Sequence, residues 1–306
     1  MRTEPNTPAM EVDPQFACYL RDPPRVSYVQ PDDSWLERRL IAALELLSGR
    51  RRIERIYWQL KGRKLGIDNF FEEGLRAASI RIDMKRNALA GLAPEAPLVF
   101  VANHPFGVVD GMVLCDIAVK LRGNFRIMLH SLLCQDRQLA PYFLPIDFTG
   151  TPLARKTNIR SRQLALEALE DNIPVLIFPA GAVSTAGKLG FGEVRDGPWT
   201  NFAAKIVRDA RATVVPVYFH GRNSRKFHIA SHIAEPLRTA LLIHEARNKF
   251  GKTFRVEIGE PIPWTAMQAL GGRQELTDFL YGRVQSLAKA IPHTSGNDSA
   301  RSRAAG

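Results

Sequence analysis

Beyond residue 96, short apolar runs alternate with stretches whose apolar residues recur every three or four positions. Residues 97–102, 124–129, 173–178 and 213–219 read as strands, and residues 111–121, 159–170, 199–208 and 274–290 as helices. Thr253–Ile258 alternates Phe254, Val256 and Ile258 with Arg255 and Glu257, which predicts a half-buried or edge strand. Upstream, Trp35, Leu36, Leu40, Ala43, Leu44 and Leu47 fall at helical spacing behind Ser34, with Glu37 placed to complete a capping box. Strands alternating with helices predict an α/β fold: a mainly parallel central sheet flanked by helices, with an N-terminal helical extension. The chain divides accordingly into an extended, proline-rich arm (1–33), a basic amphipathic helical extension (34–92), an α/β domain (93–292) and a flexible polar tail (293–306).

Composition narrows the classes. Of 306 residues, 45% are hydrophobic and 24% charged, enough apolar material for a sizeable core. The three cysteines, Cys18, Cys115 and Cys134, form neither a disulfide framework nor a zinc-ligand spacing. No apolar run approaches the roughly 20 residues that span a bilayer, and the first residues lack the apolar segment of a signal peptide. The net charge of +11 is concentrated early, with 13 Lys and Arg against 7 Asp and Glu between residues 35 and 90. Arg50, Arg51, Arg52 and Arg55 precede Tyr57, Trp58, Lys61, Arg63 and Lys64, a mixture that suits an anionic membrane surface. The charge would also attract nucleic acid, but no fold signature organises such contacts, so no nucleic-acid partner is expected. A helical pair packed on its own domain, solvated on its basic side, fits the same segment.

In an open α/β sheet the working residues lie beyond the carboxyl ends of the strands. After the first strand come Asn103, His104, Pro105, Phe106, Gly107, Val108, Val109, Asp110 and Gly111. A turn at Pro105 and Gly107 would fold Asp110 back onto one ring nitrogen of His104 and leave the other to take a proton from a hydroxyl or amine. The simpler role is equally open: Asp110 caps its helix and His104 satisfies a loop carbonyl.

This segment resembles the first signature block of the glycerolipid and lysophospholipid acyltransferases. Five residues separate His104 from Asp110, where the broad family has four, and this spacing resembles the bacterial hemolysin-like branch. The resemblance extends to Phe178-Pro179-Ala180-Gly181-Ala182-Val183-Ser184, to Val214-Val215-Pro216-Val217 and to Phe219-His220-Gly221-Arg222-Asn223-Ser224. It implies O-acyl transfer from an acyl-CoA or acyl carrier protein thioester to a lysophospholipid-type acceptor. His104 would be the general base held by Asp110, with no covalent acyl-enzyme and no bound cofactor or metal. It also implies a peripheral protein on the cytoplasmic face of a membrane, with the carrier protein as a possible partner. Asn103, Phe106, Gly107, Gly181, Ala182 and Ser184 would bind substrate, with backbone amides near Gly181, Ala182 or the His104 turn facing the oxyanion.

The common form of the third block has a glutamate where this chain has Ala180 and an arginine where it has Val183. An anion contact from position 183 is therefore lost, and Arg155, Lys156, Arg160, Lys188 or Arg222 are the candidate replacements. The departure opens two alternatives: N-acyl transfer or transacylation on an aminolipid, or a catalytically silent lipid-binding protein. Gly181–Lys188 lacks the spacing of a nucleotide-phosphate loop, Ser184 has no nucleophile elbow, and His228 and His232 belong to no metal-binding run.

Overall fold

The computed structural model describes residues 11–289 except 26, 28, 30–33, 86, 94 and 234, so the expected polar tail and the first ten residues of the arm lie outside the described residues. Three helices come first: α1 (Trp35–Leu47), α2 (Arg50–Gly62) and α3 (Ile67–Ala77). Then follow β1 (Arg81–Met84), β2 (Leu98–Ala102), α4 (Val108–Arg122), β3 (Arg126–His130), β4 (Phe143–Ile146), α5 (Pro152–Glu170) and β5 (Val175–Ile177). The chain continues through α6 (Phe202–Ala210), β6 (Thr213–Phe219), α7 (Arg225–Ser231), α8 (Glu235–Asn248), β7 (Thr253–Ile258) and α9 (Arg273–Ser286).

The seven strands form one sheet in the order β1-β7-β6-β2-β5-β3-β4. The β6–β7 pair is antiparallel and every other pair is parallel. Every residue of β2 is buried, as expected for a central strand covered on both faces. Leu98, Phe100 and Ala102 point into one core with α3 and α4, whereas Val99 and Val101 point into the other with α5, α6 and α9. Strand order reverses direction around β2, so its carboxyl end opens beside those of β5 and β6, the crevice where such folds place their chemistry.

The α/β expectation holds, with physical reasons for each local departure. Helix α4 begins at Val108 rather than 111, which brings Asp110 into its first turn. Helix α5 begins at Pro152 because the Thr151 hydroxyl accepts the Ala154 amide. The Thr253–Ile258 alternation is real, with Phe254, Val256 and Ile258 buried, but the strand lies between β6 and β1 and is no edge. The true edge, β1, comes from the segment read as purely helical. Part of the expected loose arm is docked: Phe16 is buried, the Tyr19 hydroxyl donates to Asp147 at 3.0 Å, and Asp13 pairs with Arg160 at 2.8 Å.

Helix α1 has the capping box expected of Ser34 and Glu37. It packs on the body through Ile41 and Glu45, leaving Trp35, Leu36, Leu40 and Leu47 between 57% and 80% exposed. Its apolar stripe therefore faces outward. Among the described residues no helix is long and apolar enough to cross a membrane.

Candidate active site

The site begins where β2 ends. The Asn103 amide donates to the Phe219 carbonyl at 3.0 Å and accepts the Phe219 amide at 2.7 Å, tying β2 to β6. Both ends of this side chain are committed to backbone, so Asn103 shapes the site by tying its two strands together.

The next residues fold as the spacing predicted. His104 Nδ1 lies 3.0 Å from Asp110 Oδ2, with the histidine side chain 18% exposed and the carboxylate fully buried. His104 Nδ1 is buried, with the Asp110 carboxylate facing it. The same Oδ2 accepts the amides of Phe106 at 2.8 Å and Gly107 at 3.0 Å. Asp110 therefore caps α4 and faces His104 at once. Gly107 makes this possible at φ +88°, a conformation that favours glycine. Burial pushes the Asp110 carboxyl above its ordinary value, while His104 and the two amides pull it back. The His104 ring stacks on Phe178 with centroids 4.0 Å apart, and Nε2 is the ring nitrogen that does not face Asp110.

A residue not anticipated from the sequence holds the other side. Asp196 Oδ1 accepts the His104 amide at 3.2 Å and the Ser184 hydroxyl at 2.5 Å, while Oδ2 accepts the Trp199 indole at 2.9 Å. The Ser184 amide donates to the His104 carbonyl at 2.8 Å. Ser184 is thus fixed beside His104 as a structural hydroxyl. No motif marks Asp196, because its partners lie 12 and 92 residues away.

Other expected substrate contacts resolve differently. Phe106 is 2% exposed and packs on Phe254 at 4.6 Å, so it belongs to the core. Gly221 lies so close that a Cβ there would stand 2.3 Å from the Phe106 ring. Arg160 is spent on Asp13 and Glu167, and is no candidate for an acceptor anion. Arg222 braces a loop through the carbonyls of Gly190 at 2.7 Å and Gly192 at 3.4 Å. Arg155 is exposed near the start of α5. The Gly181 amide closes a turn onto Phe178, and the Phe106 and Gly107 amides serve Asp110, which removes three candidate oxyanion donors and leaves the exposed Ala182.

Val183 is buried against the Gly107 turn. A cation does arrive there, from α8: Arg238 Nη2 donates to the Val183 carbonyl at 2.6 Å. Leu242, one turn further along α8, lies beside Gly107. Nothing in the sequence pointed to Arg238, which is 55 residues from Val183. Behind Phe106 the buried Lys249 pairs with the buried Glu245 at 3.1 Å. Among the described residues no group of three His, Cys, Asp or Glu is placed to hold a metal ion.

This arrangement, a histidine facing a buried carboxylate at the mouth of a mainly parallel sheet, is suited to deprotonating a hydroxyl. A family model described as Acyltransferase matches residues 35–292. The chain belongs to the glycerolipid and lysophospholipid acyltransferase family. Among its relatives are proteins named lyso-glycine lipid O-acyltransferase from Phocaeicola vulgatus and from Bacteroides thetaiotaomicron. The first is 32% identical over 66% of this chain and 71% of its own length, the second 31% identical over 66% and 72%. A looser likeness, with a TM-score of 0.49 and 14% identity, is to the 1-acyl-sn-glycerophosphate acyltransferase of Thermotoga maritima, over 83% of this chain and 89% of that one. This acyltransferase acts on a lysolipid-type substrate.

Proposed function

We propose that this acyltransferase esterifies a hydroxyl of a lyso-aminolipid with an anionic head group, using an acyl-CoA or acyl carrier protein thioester as donor. The observation that carries the mechanism is the 3.0 Å approach of His104 Nδ1 to Asp110. His104 Nε2 takes the acceptor proton as the hydroxyl oxygen attacks the thioester carbonyl. The tetrahedral intermediate then expels the thiolate, which recovers that proton from the imidazolium. Asp110 keeps the tautomer and stabilises the imidazolium. No protein nucleophile is needed: the Ser184 hydroxyl is engaged by Asp196, and Cys115 and Cys134 are buried with thiols pushed up by desolvation.

Two observations favour an aminolipid acceptor. The similar proteins are named for a lyso-glycine lipid, and the position of the family's phosphate-contacting arginine is held by Val183. Arg238, bonded to the Val183 carbonyl, brings a cation to the place where that arginine is missing. The relatives' names also favour ester over amide formation. Placement in the hemolysin-like branch rests on the five-residue spacing of His104 and Asp110 and on the Phe219–Ser224 run. Association with an anionic membrane surface is supported by the outward apolar stripe of α1 and the exposed Arg51, Arg55 and Lys64.

The test is incubation of the purified protein with a bacterial lipid extract and isotopically labelled acyl-CoA or acyl carrier protein. The labelled product should be a diacylated aminolipid whose new chain is released by mild alkaline hydrolysis. An alkali-stable label would establish N-acylation, and label on a glycerophospholipid would overturn the acceptor assignment.

A further inference from the structure

Residues 185–195 form a hairpin that begins one residue after Ser184 and ends one residue before Asp196, the two residues that grip the backbone of His104. Thr185 and Arg195 close its base with two hydrogen bonds of 3.0 Å. Its tip turns through Gly187, whose amide donates to the Phe191 carbonyl at 3.1 Å, and through Gly190, whose amide donates to the Gly187 carbonyl at 2.7 Å. The hairpin is well fastened: Ala186 contacts His228 and His232, Arg222 holds two of its carbonyls, and Arg225 lies over the Phe191 ring at 3.6 Å. Yet at the tip Leu189 is 73% exposed and Phe191 57%, and Ile233, next to His232, is 69% exposed.

A rigid loop that displays large apolar side chains to water has a partner for them. The surrounding charge identifies it. The exposed residues of the hairpin and of 221–226 include Lys188, Arg195, Arg222, Arg225 and Lys226 against the single carboxylate of Glu193, which Arg195 neutralises at 2.5 Å. Apolar side chains ringed by cations match the layered chemistry of an anionic bilayer, acyl chains below and phosphates above.

We propose that the 185–195 hairpin seats the enzyme on an anionic lipid bilayer, inserting Leu189 and Phe191 beside the site that acylates the membrane-held acceptor. The proposal rests on the acyltransferase reading, and adds to the outward stripe of α1 a second contact whose two ends hold His104. Seating would bring the acceptor hydroxyl to Nε2 without the lipid leaving the membrane.

The test uses the full chain with Leu189→Cys in a Cys18→Ser background, labelled with a nitrobenzoxadiazole dye; Cys115 and Cys134 are buried and do not compete. Vesicles of phosphatidylcholine with phosphatidylglycerol should brighten and blue-shift the dye, and phosphatidylcholine alone should do so weakly. Leu189→Ser with Phe191→Ser should lower vesicle affinity by about 10²-fold. That double variant should also lose acyl transfer to a bilayer-held acceptor while retaining turnover of a monomeric, short-chain acceptor. Co-sedimentation with vesicles and no dye response would overturn the proposal and leave binding to α1. A dye response to acyl carrier protein but not to vesicles would overturn it in favour of donor docking, and no vesicle binding at all would do so outright. Failure of the wild-type protein to acylate the monomeric acceptor would instead count against the acyltransferase reading, because the dye response does not depend on turnover.

Discussion

The Asn103–Gly111 turn and the loop from Pro179 to Asp196 meet at His104, but they are built by different physics. In the turn, the histidine, the carboxylate that faces it, the glycine hinge and the helix cap lie within seven consecutive residues, tied together by backbone amides. The loop closes on itself between Thr185 and Arg195, but it is placed by partners that the fold brings together: Asp196 on the His104 amide, Arg222 on Gly190, Arg238 on Val183. A local device can be read from spacing, whereas a long-range one cannot. Damage to the turn should remove chemistry, while damage to the loop should misplace it.

The largest effect should come from His104→Ala, which removes the proton acceptor. Turnover should fall by about 10²- to 10⁴-fold, the range of a positioned general base, with the circular dichroism spectrum unchanged. A folded variant with wild-type turnover would break the comparison at its root.

Asp110→Asn sharpens it by separating catalysis from stability. The Asn carbonyl can still accept the Phe106 and Gly107 amides, but no charge remains to stabilise the imidazolium, so turnover should again fall by about 10²- to 10⁴-fold. The stability sign is opposite. Burial raises the Asp110 value in the folded state, so the folded protein holds that proton more tightly than the unfolded chain. The stabilisation this provides is present at acid pH and is lost as pH rises through the shifted value. At neutral pH the ionised carboxylate is therefore a stability cost, and Asp110→Asn should melt no lower than wild type.

The same contrast explains what the sequence made legible. The strands β2, β5 and β6 are uninterrupted apolar runs because both faces of the sheet are covered. The edges are harder: β1 is four residues long with Arg81 and Asp83 in it, and β4 is four residues broken by Pro145. Helices α7 and α8 were unread, and with them Arg238, Glu245 and Lys249. Asn103 and Phe106 stand at special positions, but spacing cannot show that an amide will bridge two strands or that a ring will lie against Gly221. The pairing of Arg160 with Asp13 is equally hidden, because the two lie 147 residues apart.

Asp196→Ala tests the loop. It frees the His104 amide and the Ser184 hydroxyl and leaves the Trp199 indole without its acceptor, so His104 loses its placement but not its chemistry. Turnover should fall by about 10²-fold, the scale of an ångström-sized misplacement. Asp196→Asn, which retains an oxygen for the His104 amide and Ser184, should recover part of it. The acid limb of the pH profile should not move in either variant, since the His104–Asp110 pair is untouched. A moved limb would show that Asp196 acts on the pair itself and that the two regions are not separable.

The smallest effect should come from Arg238, the cation that reaches Val183 from α8. A charge-assisted hydrogen bond to a head-group anion contributes about 1.5 kcal/mol at the lower end of its range, roughly tenfold in acceptor kcat/KM. Arg238→Ala should lose that factor through the acceptor KM, with the donor KM unchanged. Arg238→Lys keeps the charge but not the planar fork, so it should recover binding only in part. The guanidinium also bonds the Val183 carbonyl, and its removal could loosen the loop by that route alone. An acceptor analogue with its head-group carboxylate converted to an amide separates the two. If Arg238 recognises the anion, wild type and Arg238→Ala should use this analogue equally well. If the arginine only braces Val183, the variant should be worse on both acceptors by the same factor, and the head-group assignment would fall while the His104 chemistry stood.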